Sequence, residues 1–251
     1  MVERSHLPAV ATFYAPGEWT ARLSLDESAA HHAVVKRLNA GDAVRLTSGN
    51  GRRANGVIAE LGKRRLEVTI DLASVEQVIA LPRIELWAPV ADRDRMFMLA
   101  EKAVELGVNA WRSVIYARSK SVSPRGEGAA FHEKLRLRQI SALEQSGGAW
   151  LPELHPEVRL DEMLAARTVL DEGTRLLLDT EGEGLGDIVA TLDTPVHIAL
   201  GPEGGLDEEE RVAFIRAGWR PVSLGANVLR FETAAIAAVA VVRSHHSAFH
   251  E

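Results

Sequence analysis

Strand-period alternation dominates the first third of the chain, and helical periodicity takes over after it. Residues 22–25 and 42–48 alternate apolar with polar, and Asp26 between them is placed to cap a short helix through Val35. Gly49-Asn50-Gly51 supplies an Asn-Gly hairpin turn. Residues 56–61 and 66–72 predict two more strands across the Gly62-Lys63-Arg64-Arg65 turn. Short strands with turn signals this dense predict a small β-barrel over residues 1–76. Residues 77–82 read as a linker, marked by Pro82. Beyond it, strands over 84–88, 111–117, 175–179, 196–200 and 221–224 alternate with helices over 94–106, 131–146, 207–217 and 233–245. Gly107, Gly147-Gly148 and Gly218 stand where the first three of those helices stop. The alternation predicts an α/β domain over residues 82–251.

Two segments of that domain carry candidate chemistry. His197-Ile-Ala-Leu-Gly-Pro-Glu-Gly-Gly205 and Val222-Ser-Leu-Gly-Ala-Asn-Val-Leu-Arg-Phe-Glu-Thr-Ala234 each run from a short apolar strand into a bendable loop and a helix start. Asp207 lies three residues before Glu210, as a capping box requires, and Thr233 precedes an alanine-rich run. Strand ends of this kind lie side by side at the carboxyl edge of a sheet, where their loops form one pocket. Gly201, Gly204, Gly205 and Gly225 let the main chain approach a ligand closely. The loops carry Glu203 and no Lys-Ser/Thr pair, which favours a neutral or cationic ligand over a phosphate.

Composition narrows the choice of function. With 46% hydrophobic and 25% charged residues the chain is built for a folded core, and 251 residues suffice for a small domain plus a medium one. Against a nucleic-acid partner stands the balance of 29 basic and 35 acidic residues, unless the basic ones cluster. Lys36-Arg37, Arg52-Arg53 and Lys63-Arg64-Arg65 do group at the predicted turns, either as one basic face or as ordinary solvated turns. The absence of cysteine excludes disulfides, thiolate zinc sites and cysteine nucleophiles. Glu3 and Arg4 open a terminus with no apolar signal segment, and the apolar run 234–242 is too short for a bilayer, so a cytoplasmic location is expected.

Leu-Gly-Pro-Glu-Gly-Gly followed by Leu-Gly-x-x-Val-Leu-Arg-x-Glu-Thr-Ala resembles the SPOUT methyltransferases. More closely it resembles the ribosomal RNA small subunit methyltransferase E family, which methylates uracil N3 in 16S ribosomal RNA. His31, Arg37 and Gly41-Asp42, Lys102 with 105–108, Arg118-Ser119, 144–147 and 151–153 follow that family's order. Thr12, Asp92 and Gly148 depart from it, each standing where members carry Arg or Lys, with Arg93 and Arg95 beside Asp92. The resemblance implies a trefoil-knotted α/β domain behind a PUA-like, OB-type barrel, S-adenosylmethionine as cofactor, no metal, a homodimer, and 16S ribosomal RNA or the small ribosomal subunit as partner. It implies a cofactor pocket of Leu178, Leu200, Gly201, Pro202, Glu203, Gly204, Gly205, Leu224, Gly225, Val228, Leu229 and Thr233. Arg230 is expected to stabilise charge on the uracil, Glu232 to orient it or cap the last helix, and Glu203 to contact the ribose or accept a proton. RNA contacts are expected from Arg37, Arg52, Arg53, Lys63, Arg64, Arg65, Arg95 and Arg118.

Rival readings remain. Asp179-Thr-Glu-Gly182-Glu-Gly184-Leu-Gly186 imitates the glycine turn of Rossmann-type methyltransferases, but Glu181 and Glu183 crowd it with negative charge. A flexible turn beside the pocket is the expectation there. A SPOUT enzyme acting on a different RNA or on a small molecule would keep the cofactor pocket, and a non-catalytic RNA-binding module would keep only the barrel. His31-His32 and His245, His246 and His250 lack a third ligand at helical spacing, and Ser119 and Ser146 lack triad partners. The alanine run 234–240 suits core packing and, equally, close helix approach across a dimer.

Overall fold

In the computed structural model, which describes residues 11–121, 125–165 and 172–247, the chain divides into two units. The first holds the described residues up to Ala80 together with Ile140–Leu151, and the second holds Leu81–Gln139 and the described residues from Pro152 on. Glu3, Arg4 and His250 lie outside the described residues.

The first unit is built on a six-stranded sheet packed with helix α1 (Glu27–Val35). Its strands are β1 (Ala11–Tyr14), β2 (Arg22–Leu25), β3 (Ala43–Thr47), β4 (Arg52–Leu61), β5 (Leu66–Ile70) and β6 (Glu76–Gln77). They run in the order β1-β3-β4-β5-β2, with β6 on β4, and only β1 and β3 are parallel. Inward residues of alternate positions, Phe13, Leu46, Ile58, Leu66 and Val68, pack with Ala29, Ala30 and Ala33 of α1. The expected cap and turn are both present. Asp26 accepts from Ala29 N at 3.0 Å, and Gly49 and Gly51 take positive φ between β3 and β4. Strand β1 was not expected, because it pairs with β3 across distant sequence and is only four residues long.

The second unit is one parallel sheet, ordered β12-β10-β11-β7-β8-β9. Its elements are β7 (Ile84–Pro89), α2 (Arg93–Glu105), β8 (Ala110–Ile115), α3 (Ala129–Ser146), β9 (Glu153–Arg159) and α4 (Leu160–Ala165). After them come β10 (Thr174–Gly184), α5 (Leu185–Ile188), β11 (Val196–Leu200), α6 (Glu208–Arg216), β12 (Arg220–Ser223) and α7 (Phe231–Ser247). The last residues of α3 belong with the first unit. Every residue of β7 and β11 is buried, as parallel strands covered on both faces require. Leu86, Ile198, Met96, Ala235, Ala238 and Val242 share one core with α2 and α7, while Trp87, Phe214 and Trp219 form a second with α4 and α6. Each fully buried Leu, Ile, Val, Phe or Met among them contributes roughly 1.5–3 kcal/mol of transfer free energy.

Two polar devices fix this unit. Arg243 of α7 donates to the carbonyls of Pro82, Gly107 and Leu106 at 2.8, 2.7 and 3.2 Å, and its burial pushes its pKa down to about 10. Near the amino ends of the strands, buried Glu85 accepts from Trp87 Nε1 at 2.9 Å and Arg112 Nε at 3.1 Å. His197, its register partner on β11, is held neutral-leaning, since burial lowers its pKa more than Glu85 raises it.

The glycine stretch 179–186 is not the flexible turn expected. Strand β10 continues through it to Gly184, with a register shift against β12 between Leu178 and Glu183. A Cβ on Gly182 would fall 2.3 Å from Val222 N, so this glycine exists to let two backbones touch. Strand β9 and helices α4 and α5 are likewise additions to the predicted list.

Candidate active site

Strands β11 and β12 deliver their carboxyl ends, and β10 its middle at Leu178–Thr180, to one place, where a cleft of about 550 Å³ opens. Leu178, Leu200, Val228, Leu229 and Phe231 supply its apolar walls, and Gly201, Pro202 and Gly205 its glycine-rich side. Glu203, Arg95 and Arg230 also line it. A narrower recess of about 90 Å³ adjoins it, lined by Val222, Ser223, Leu224, Gly225 and Asn227 and sharing Leu178, Asp179 and Thr180 with the cleft. The topology accounts for this convergence: β10 pairs with both β11 and β12, so the loops after those two strands leave the same sheet edge on either side of it.

Loop geometry follows from the residues. Gly205 takes φ +68 in the tight turn after Pro202, closed by its N–H to the Pro202 carbonyl at 2.8 Å. Gly225 takes φ +135, and a Cβ there would project into open space beside the recess. Asp207 and Glu210 form the capping box that starts α6, with reciprocal bonds of 2.8 and 3.0 Å. Glu203 Oε1 accepts from Asp92 N at 3.1 Å, tying the glycine loop to the start of α2. Asp92 itself caps α2 through Arg95 N at 3.0 Å, which sets Arg95 at the cleft.

Of the expected pocket residues, Gly204 and Thr233 do not line the cleft or its recess. Gly204 is exposed and lies beside the stem of Arg118, and Thr233 is exposed on the first turn of α7. Arg230 is exposed at the rim, where its carbonyl accepts from Ala234 N as α7 begins. Glu232 is buried, only 3% exposed, and its Oε2 has no hydrogen-bond partner among the described residues. Asp179, Thr180 and Arg211 line the cleft without having been expected. Arg211 Nε donates to Asp179 Oδ2 at 2.7 Å, and the Glu181 N–H adds a bond to Oδ1 at 3.0 Å. Burial alone would raise this carboxyl, but the Glu181 amide and the Arg211 guanidinium together hold it below the usual carboxylate range. The one available signal was an aspartate ending a strand beside the glycines.

The expected RNA contacts fall in several places. Lys63 and Arg64 are exposed on the β4–β5 turn, beside Arg65, which pairs with Glu67 at 3.1 Å. Arg37 follows α1 with φ 58, a left-handed position where glycine is the usual choice. Arg52 lies over Trp19 and donates to the Gly17 carbonyl, while Arg53 pairs with Glu76 at 3.0 Å and donates to the Gly147 carbonyl at 3.3 Å. Arg118 donates to carbonyls of the glycine loop. Among the described residues, no cluster of three or more His, Cys, Asp or Glu could hold a metal, and no helix is long and apolar enough to cross a membrane.

Comparison with known proteins places this geometry. Residues 80–243 match the RNA methyltransferase domain family and residues 25–71 the RNA methyltransferase PUA domain family. A ribosomal RNA small subunit methyltransferase E from Mycobacterium bovis is 31% identical, over 84% of this chain and 82% of its own length. The enzyme of that name from Treponema pallidum is 37% identical over 49% of this chain, which spans 47% of that relative. A crystal structure of the Neisseria gonorrhoeae ribosomal RNA small subunit methyltransferase E, bound to S-adenosyl methionine, superposes with a TM-score of 0.81 at 29% identity, covering 93% of this chain and 97% of that one.

Proposed function

Because the chain belongs to the ribosomal RNA small subunit methyltransferase E family, we propose that it methylates N3 of a uracil in 16S ribosomal RNA with S-adenosylmethionine. Its fold is that of the family, a SPOUT-type, trefoil-knotted α/β domain behind a PUA domain. The observation that carries the reading is the cleft itself. It has leucine walls, an open glycine at Gly225 and the carboxylates of Asp179 and Glu203. Arg95, Arg211 and Arg230 line it too, so it offers a nucleoside cofactor groups of both charges, and its volume lies in the range of small-molecule pockets. When bound, S-adenosylmethionine supplies an electrophilic methyl group.

The remaining work falls to the chain. N3 of neutral uridine holds a proton at pH 7 and is a poor nucleophile until that proton leaves. Arg230 and Arg95, both at the cleft, are placed to stabilise negative charge on the uracil oxygens as it does. Glu203 has one oxygen engaged by Asp92 N, so we assign it first to holding the loop and second to the ribose or the proton. Glu232, buried in the first turn of α7 with Oε2 unpartnered among the described residues, is assigned to orienting Arg230. Lys63 and Arg64, with Arg37, Arg52, Arg53 and Arg65, supply the proposed RNA contacts on the first unit.

The buried face of α7 is Ala235, Ala238, Val239 and Val242, which leaves the small residues Ala237 and Ala240 half-buried and able to pack against a second copy. We propose a homodimer on that basis; light scattering that reports a monomer at micromolar concentration would contradict it. The activity is tested by transfer of labelled methyl from S-adenosylmethionine to undermethylated small subunits and, in parallel, to large subunits. Label in the small-subunit RNA alone is expected. Label in the large subunit alone would move the enzyme to a different RNA.

A further inference from the structure

Arg118 sits on the short 3-10 turn Ala117–Ser121 after β8, a strand separated from β11 by β7. Its side chain nonetheless reaches the loop beyond β11. Nη1 donates to the Gly204 carbonyl at 2.8 Å and lies 3.4 Å from the Leu206 carbonyl. The stem lies across the loop as well: a Cβ on Gly204 would come 3.3 Å from Arg118 Cβ and 3.5 Å from its Cδ. A Cβ on Gly204 would press against the arginine stem, whereas one on Gly225 would meet open space. The residue before Arg118 grips the same stretch. Ala117 N donates to Glu210 Oε1 at 2.7 Å, and Glu210 Oε2 accepts from Asp207 N at 3.0 Å. Arg118 does not line the cleft, while Gly201, Pro202 and Gly205 of the loop it holds do.

Two consecutive glycines give loop 201–207 more conformations to lose than any other pair would. A guanidinium that donates to two of its carbonyls selects one of them before a ligand arrives. We infer that Arg118 is a positioning residue: it sets the glycine loop for S-adenosylmethionine and contributes to cofactor affinity without touching cofactor or RNA. The inference rests on the proposed cofactor site.

The test uses the full chain, calorimetry with S-adenosylmethionine, steady-state kinetics, and small-subunit RNA binding over a salt series. Arg118→Met keeps the stem and removes the donors. It is expected to weaken cofactor binding about tenfold or more, the scale of a lost charge-assisted hydrogen bond. KM for the cofactor should rise in step while kcat at saturation stays within about threefold. Arg118→Lys, which keeps one charged donor, should recover part of the affinity. RNA affinity and its salt slope should stay as in the wild type. A folded Arg118→Met chain with unchanged cofactor affinity overturns the inference. So does weakened RNA binding with a shallower salt slope, which would make Arg118 a phosphate contact. If melting shows that Arg118→Met does not fold, Gly204→Ala takes its place, since the added Cβ crowds the arginine stem. Weaker cofactor binding is then expected, and wild-type affinity overturns the inference. No cofactor binding by the wild-type chain would instead strike at the cofactor site itself, and the role of Arg118 would fall with it.

Discussion

Loops 201–207 and 224–230 face the same cleft, yet their neighbours treat them differently. The first is gripped from both sides, by Arg118 and Ala117 with Glu210 on one and by Asp92 N on Glu203 on the other. The second is exposed from Gly225 to Arg230, with Val228 85% exposed, and no hydrogen bond reaches residues 225–229 among the described residues. The difference separates two tasks. A loop fixed during folding presents its backbone to the cofactor in one conformation, while a loop free of such ties can be shaped by whatever enters the cleft. Arg230, the proposed charge stabiliser, stands on the second loop, and the glycines proposed to admit the cofactor stand on both.

Removing Arg230 gives the largest effect. Arg230→Ala should cut single-turnover methylation by about a hundredfold or more, with cofactor affinity little changed. Full single-turnover activity would place the charge stabiliser elsewhere in the cleft, with Arg95 next in line. A smaller but clean effect is expected at Gly225. Gly225→Val puts a branched side chain into open space beside the recess, in a backbone region that L-residues avoid, and should weaken cofactor binding by more than about tenfold without lowering the melting point of the first unit. Wild-type affinity in a folded variant would mean the recess is not the cofactor's. The subtlest test is hydrogen exchange with and without S-adenosylmethionine. Amides of 225–230 should gain more protection than those of Gly205 and Asp207, which already donate to Pro202 and Glu210. Equal gains would erase the distinction between the two loops.

Much of this was legible where the determinant is local. Asp26 at α1, the Asp207–Glu210 box at α6, the Asn50 hairpin and the stops at Gly107, Gly147 and Gly218 each depend on a few neighbouring residues, and each is present with the expected cap or positive φ. Strand β9 escaped notice because Pro156 breaks its pattern, a residue an edge strand tolerates. The continuation of β10 to Gly184 depends on Gly182 touching the backbone of β12, which no local signal announces. The cleft walls were readable because both loops leave the same edge of one parallel sheet, although β10 lies between β11 and β12 where the sequence suggests direct neighbours. Asp179 and Arg211 were missed because their bond joins the middle of β10 to a helix distant in sequence. The grip of Arg118 on Gly204 reaches across β7, so in sequence it reads only as one more basic residue.

The central claim is that this cleft methylates uracil N3 in small-subunit RNA. Purified chain, S-adenosylmethionine and small subunits lacking the modification are incubated together, and the 16S ribosomal RNA is digested and mapped by mass spectrometry. The account predicts 3-methyluridine at a single position, present with the wild-type chain and reduced about a hundredfold in initial rate with Arg230→Ala. A methyl group on carbon, on ribose or on another base, made by the same folded and cofactor-binding chain, would contradict it.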